Sequence, residues 1–324
     1  MNLYKLLNIA GIKVNPPLKG EVNIIDISAF TGYVDFNKLA PHLRGELEPR
    51  IHGAIIRMSD GKYVDKYCYY NYEGFRSYDI PVGGYGVHYI KALEFENVAQ
   101  ADALIKAVNG LGEYPLLGVY GDWERNPDKL GYISVRKAIK QYIQRYESNF
   151  GNNKLGIYTN SWWDYNVANK LTGASEFPPN RIPWFASYYA TKPYIPWDWK
   201  HRWGDNCWIL WQYDNRFRFP GIPGSVDMNT FNGNLEEFLD YFGLQNQEPP
   251  GEVEMKYRVV IDNLRIREKP DINSKIIGTR NLNDIVIPLD TIGDNLYSKS
   301  YWVKDERGWS AAQWKGSIYM QTFI

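Results

Sequence analysis

The strongest constraint on this chain is the order in which two kinds of apolar pattern follow one another. Short β-branched runs stand at 23–28 (NIIDIS), 53–59 (GAIIRMS), 82–89 (VGGYGVHY), 115–121 (PLLGVYG) and 154–160 (KLGIYTN). Helical patterns lie between them. The clearest is SVRKAIKQYIQRYESNFG, residues 134–151, where Val135, Ala138, Ile139, Tyr142, Ile143 and Tyr146 fall on one stripe, with Ser134 as N-cap and Gly151 as the residue past the C-terminus. Strands alternating with helices predict a parallel sheet with crossover connections. After about residue 180 the helical period disappears. RIPWFASYY, CWILWQYD and SVDMNTF read as three more strands, joined by segments rich in Pro, Gly and Trp. Five strand–helix units followed by three strands predict an α/β fold, an irregular (β/α)5β3 TIM-like barrel whose last helices are missing. A doubly wound open sheet is the alternative, but no strand leads into a G-x-G-x-x-G or Walker loop.

A second, smaller unit follows. GLQNQEPPGEVEMK, residues 243–256, is polar and acidic and carries Pro249-Pro250-Gly251, a linker composition. The expected organisation is an arm over 1–21, a barrel over 22–243, a linker over 244–255 and a small all-β domain over 256–324. In the arm a short apolar run is broken by Asn8 and no A-x-A-like site follows, so a signal peptide is not expected. No run approaches the ~18 apolar residues of a membrane span. A formal net charge of zero offers no global field to draw nucleic acid. The two cysteines, Cys68 and Cys207, lack metal or redox spacing and read as buried thiols.

The acids fall at one end of the predicted strands. In LLGVYGDWERN, residues 116–126, Asp122 and Glu124 are two apart and therefore share one face of a strand. Paired carboxylates raise each other's cost of ionising, so one can keep the proton a general acid needs. Asp26 ends the first strand and Asp227 lies on the eighth. Active sites of such barrels form at the C-terminal strand ends. Tyr85, Tyr158, Trp211 and Tyr213 are the aromatic candidates for holding a sugar, with Asn160 and Gln212 nearby, and His88 is open between cleft and core. Four acids from three strands ringed by aromatics describe a carbohydrate cleft with an acid pair. The chemistry needs no metal or cofactor, and no ligand pattern suggests one.

IIDIS, DWE, YTN and WQY…GIPGSVDMNTF, taken in that order over about residues 22–242, resemble glycoside hydrolase family 25, the lysozymes that cut peptidoglycan. The resemblance implies a (β/α)5β3 barrel and catalytic positions at Asp26, Asp122, Glu124 and Asp227, with Glu124 as proton donor. Family members often read GAYHF on the third strand. Here GGYGVHY keeps Tyr85 but has Gly86 where the histidine would stand. Chitinase-type D-x-D-x-E barrels place a further acid where this chain has Tyr120. The tail's LRIREKP, SKIIG and GW resemble a bacterial SH3-like domain, which implies a wall-binding module. Its Tyr301, Trp302, Trp309 and Trp314 are open between groove and core.

Together these imply an N-acetylmuramidase of bacteriophage endolysin type. Such an enzyme accumulates in the host cytoplasm and then reaches the wall, with peptidoglycan as its partner and no membrane insertion. Net retention is expected, with the substrate acetamido group as nucleophile and Asp122 as its partner. A catalytically inactive wall-binding protein and an N-acetylglucosaminidase are the alternatives.

Overall fold

The computed structural model describes residues 18–168, 181–188, 190, 191, 193, 208–245, 256–292, 300–314 and 317–323. The chain divides into two compact units, Met1–Gln247 and Glu248–Ile324. Most of the expected arm and linker, and Cys207, lie outside the described residues; Cys68 is a buried free thiol.

Among the described residues of the first unit nine strands run β1 (Asn23–Ile27), β2 (Gly53–Asp60), β3 (Tyr63–Val64), β4 (Val82–Tyr89), β5 (Val119–Arg125), β6 (Gly156–Asn160), β7 (Pro183–Ala186), β8 (Leu210–Phe217) and β9 (Val226–Phe231). Eight of them form a closed ring in the order β1-β9-β8-β7-β6-β5-β4-β2, with β1 pairing back onto β2; β3 is a short hairpin partner of β2. Helices follow the first five ring strands: α1 (Phe36–Leu43), α2 (Cys68–Arg76), α3 (Glu94–Asn109), α4 (Tyr132–Phe150) and the short α5 (Ser161–Asn166). No helix joins β8 to β9, whose connection over 218–225 is a described loop. Two expectations change. A helix, α6 (Leu235–Tyr241), does follow the last strand, and β9 runs antiparallel to both its neighbours. Asp227 therefore stands at the start of its strand, and this reversal brings it to the same end of the ring as the tip of β1.

The alternation of side chains along each strand sorts the core into two layers. Ile24, Ile55, Tyr120, Tyr158, Trp184, Leu210 and Phe231 point inward. Ile25, Ile56, Trp123, Ile157, Trp211, Tyr213 and Met228 point outward, where Tyr72, Leu104, Ile139 and Tyr142 of the helices cover them. Phe238 of α6 and the following Leu244 join the inner cluster. Helix α6 is held by a capping box between Asn234 and Glu237. The predicted stripe of α4 is buried at all six positions. Its start is earlier than Ser134, because the Val135 amide already bonds the carbonyl of Gly131. Among the described residues no helix is long and apolar enough to cross a membrane.

The second unit holds β10 to β18 in two small antiparallel sheets. One is ordered β13 (Ile285–Val286), β10 (Lys256–Val259), β18 (Met320–Phe323). The other runs β12 (Ile276–Arg280), β11 (Leu264–Arg267), β16 (Gly308–Trp314), β15 (Ser300–Asp305), β14 (Asp290–Ile292), with β17 (Ser317–Ile318) on β16. Tyr257, Val259, Leu264, Val286, Val303, Ala312 and Met320 form its core. Trp302 and Trp309 are buried with Ala311 and so fill the interior. The side chains of Tyr301 and Trp314 lie outside the described residues. Arg280 is buried and grips both carboxylate oxygens of Asp305, each at 2.7 Å, with its Nε donating to the Ser310 hydroxyl. Pairing and full hydrogen bonding make that burial tolerable.

The β8–β9 loop docks on α1 through Gly221, whose carbonyl accepts from the Asp35 amide at 2.7 Å. Gly221 has φ +86°, and a Cβ there would meet the Asp35 carbonyl oxygen at 2.3 Å; Gly112 has φ +80° with open space around it. Both alanine substitutions carry left-handed strain of roughly 1–3 kcal/mol. Gly221→Ala is expected to be the more destabilising by a further ~1–3 kcal/mol, the range for overpacking, in urea unfolding. Equal losses would show that the loop relaxes freely.

Candidate active site

The inward positions at one end of the barrel carry an unusual load of acid. Asp26 is the fourth residue of β1 and stands in register with Asp227 of β9 across the antiparallel pair. Gln212 of β8 donates from Nε2 to Asp26 Oδ2 at 2.9 Å and to Asp227 Oδ2 at 3.5 Å. Asn229, two residues after Asp227 and so on the same face, donates to Asp26 Oδ2 at 2.7 Å. Its own Oδ1 accepts from the Trp184 indole at 2.8 Å. The hydroxyls of Tyr158 and Tyr188 both donate to Gln212 Oε1, at 2.7 and 2.5 Å. These bonds leave Gln212 and Asn229 no choice of amide orientation: oxygen toward the tyrosines and indole, nitrogen toward the carboxylates.

Electrostatics follow from this burial. Desolvation raises Asp26 above the carboxylate range, against the pull of the Asn229 and Gln212 hydrogen bonds. Desolvation also raises Asp227, and the neighbouring Asp26 charge raises it further. Two carboxyls in contact cannot both ionise cheaply, so the pair retains a proton.

On β5, Asp122 and Glu124 share the inward face while Trp123 between them packs outward. Asp122 is buried, and its Oδ1 has no hydrogen-bond partner among the described residues. Desolvation pushes it well above the usual range and the Glu124 charge adds to the push. Glu124 is half-buried at the rim. Its carboxyl is also raised by desolvation, opposed by Arg125 and by Asn160, whose Nδ2 donates to Oε2 at 3.3 Å. A rim acid whose proton is held more tightly than usual, above a deeper acid with an oxygen unpartnered among the described residues, can protonate one atom of a ligand while the deeper group accepts a hydrogen bond from another.

The aromatic candidates divide. Tyr158 and Tyr85 belong to the barrel interior; Tyr85 packs edge-on to Trp184 at 5.9 Å and feels the charges of Asp26, Asp122 and Asp227. Trp211 and Tyr213 do not line the interior. They stand on the other face of β8, 2% and 1% exposed, in the layer beneath the helices. The side chain that β8 sends inward is Gln212, between them. His88 also resolves to the core. It stacks on Tyr142 with ring centroids 4.4 Å apart, meets Asn97 Oδ1 at 3.0 Å, and is pushed down to about 4 by burial, hence neutral.

Arg57 was not among the expected site residues. It is buried on β2, two residues past inward-facing Ile55, pairs with Asp65 at 2.7 Å, and its charge draws down both Asp122 and Tyr85. A lone arginine inside the apolar run GAIIRMS was the available signal. Asn229 was not expected either; its signal was parity, since it lies at even spacing from inward-facing Phe231.

Residues 25–222 match the glycosyl hydrolases family 25. Among curated proteins the chain is similar to Lysozyme M1 of Streptomyces globisporus, 27% identical over 237 residues that span 70% of this chain and 73% of that protein. It is equally similar to the uncharacterized protein YegX of Escherichia coli strain K12, 27% identical over 244 residues, or 73% and 79% of the two chains. Its fold is similar to that of a family 25 glycosyl hydrolase from Bacillus anthracis, with TM-score 0.54 and 22% identity over 70% of this chain and 97% of the other.

Buried carboxyls tie stability to pH. Asp122 has a folded pKa above its ordinary 3.8, so the folded state binds its proton more tightly than the unfolded chain does. That contribution is fully present below about pH 4 and is lost as pH rises through the folded value. Asp122→Asn removes the loss. The melting temperature of the variant, relative to wild type, is expected to rise between pH 4.5 and pH 8. A wild type that gains on the variant with rising pH would refute the assignment.

Proposed function

The chain belongs to glycosyl hydrolase family 25 and is a glycoside hydrolase; from that premise we propose that it is an N-acetylmuramidase, cutting the β-1,4 bond between N-acetylmuramic acid and N-acetylglucosamine in bacterial peptidoglycan. The observation that carries the reading is the pairing of Asp122 with Glu124 on one face of β5, within the same barrel mouth as the Asp26–Asp227 pair. Glu124, the rim acid whose carboxyl burial shifts upward, donates to the leaving oxygen. The 2-acetamido oxygen of the substrate attacks C1 from the opposite face, and its N–H finds the unused Oδ1 of Asp122. Glu124, now ionised, takes a proton from the water that reopens the ring. Bond formation and cleavage on opposite faces, repeated once, give net retention. Asp26, Asp227 and Gln212 hold the sugar hydroxyls and the water, and Tyr85 and Tyr158 line the ring's pocket.

The second unit is proposed as an SH3-like wall-binding module, and the setting as bacterial lysis by a phage enzyme that waits in the host cytoplasm. The support is the order of the two units and the tail motifs LRIREKP and GW.

Glu124→Gln preserves shape and removes the proton. It is expected to keep the fold and lower lysis of purified walls by ~10²–10⁴-fold, the usual worth of general acid catalysis. Retention of more than a tenth of wild-type activity overturns the assignment. Borohydride reduction of the wild-type digest should yield muramitol; glucosaminitol would mark an N-acetylglucosaminidase, and no new reducing ends an inactive binder.

Proton NMR of the first-formed product is expected to show the β-anomer. An initial α-anomer would mean inversion, with Asp26 or Asp227 activating water from the far side.

A further inference from the structure

Glu124 shares the inward face of β5 with Asp122. It also lines a cleft of about 730 Å³ that runs from the Glu124 carboxyl between the β5–α4 loop and α5, and of the four acids only Glu124 lines it. Its size falls in the range of small-ligand sites. Two of its walls are aromatic and open to solvent: Trp162, 66% exposed, and Tyr132, 45% exposed. Trp162 stands apart. Trp123, Trp163, Trp184, Trp211, Trp302 and Trp309 are all buried, and Trp208 is half-buried. Among the tryptophan side chains described, the one left in water borders the rim acid.

The backbone that carries Trp162 and the ring of Tyr132 are both anchored. Asn160 caps α5 by accepting from the Trp163 amide at 2.9 Å, while its Nδ2 donates to Glu124, so one side chain fixes the acid and the helix that carries Trp162. The Arg136 guanidinium lies 5.7 Å over the Tyr132 ring, and its Nε bonds the Ala168 carbonyl just past α5. Asn126 closes the intervening loop by bonding both the amide and the carbonyl of Leu130. A wall anchored this way loses little backbone freedom when a ligand settles on it.

We propose that this cleft binds the leaving-group side of the glycan, with an N-acetylhexosamine ring laying its apolar face on Trp162 beside Tyr132. The inference rests on the muramidase reading above and adds the direction of the chain. The oxygen that Glu124 protonates has the sugar under attack on its Asp122 side, inside the barrel. The departing sugar must then lie on the other side of Glu124, where this cleft begins. Pyranose C–H faces stacked on an indole combine apolar burial with contact to the negative ring face.

The test compares two substrates in wild type, Trp162→Ala and Trp162→Phe. One is the tetrasaccharide of two N-acetylglucosaminyl-N-acetylmuramic acid units, which places sugars in the cleft. The other is the β-fluoride of the single disaccharide, whose leaving group is too small to reach it. The ratio of kcat/KM for tetrasaccharide to that for fluoride is expected to fall about tenfold in Trp162→Ala and to recover largely in Trp162→Phe. An unchanged ratio overturns the proposal, whether both rates are kept or both fall together. Indole fluorescence is titrated in parallel with N,N′-diacetylchitobiose. A wild type that cuts neither substrate would sink the muramidase reading, and the titration then decides alone. Saturable quenching that Trp162→Ala abolishes supports the cleft as a sugar site; no response to the disaccharide overturns it.

Discussion

Everything in the catalytic unit depends on the double pairing of β1. This five-residue strand lies parallel to β2 on one side and antiparallel to β9 on the other, and its two ladders close the ring. Closure leaves the eight-stranded ring itself without an open edge and creates an interior with a definite mouth. The antiparallel ladder also sets Asp26 directly against Asp227. A parallel β9 would have put its first residues at the far end of the barrel and left Asp26 without its partner. The reversal is possible because the loop over 218–225, anchored by Gly221 on α1, carries the chain back without a crossover helix.

An interior so enclosed makes carboxyls expensive. Four acids sit in or at the rim of the mouth, and desolvation is the largest influence on each. Two amide side chains and two phenols supply most of the compensation, and they do so on the Asp26–Asp227 side. The β5 side is left less satisfied among the described residues: there Asp122 keeps an unpartnered oxygen and Glu124 has only the long bond from Asn160. Incomplete satisfaction is destabilising for the protein alone and is what a ligand with its own donors can complete. Asn160 joins that region to α5, so the geometry of the acid and of the exposed Trp162 are set together.

Much of the architecture was readable from periodicity. The eight ring strands fall close to the runs identified in the sequence, and the α4 stripe is buried at each expected position, because burial of one face imposes its period on the residues. The acids of the mouth were readable for the same reason: Asp122 and Glu124 at a spacing of two could only share a face. The misreadings have physical causes too. Trp211 and Tyr213 looked like sugar platforms because aromatic rings suit both sugars and cores. Their parity with outward Trp123 and Met228 was visible only once the faces of neighbouring strands were aligned. His88 was ambiguous until Tyr142 and Asn97, from two different helices, were seen to enclose it.

What the sequence determined by itself is whatever depends on local order along the chain: strand against helix, the stripe that α4 buries, and the shared face of Asp122 and Glu124. What only the tertiary structure decided is whatever depends on which elements meet. The antiparallel entry of β9, the contact of Asp26 with Asp227, the amides that orient around it, and the exposed aromatic cleft beside Glu124 all join residues far apart in the chain. Hydrogen bonds and desolvation act over a few ångströms of space, and no spacing in a linear sequence specifies that distance until the barrel has closed.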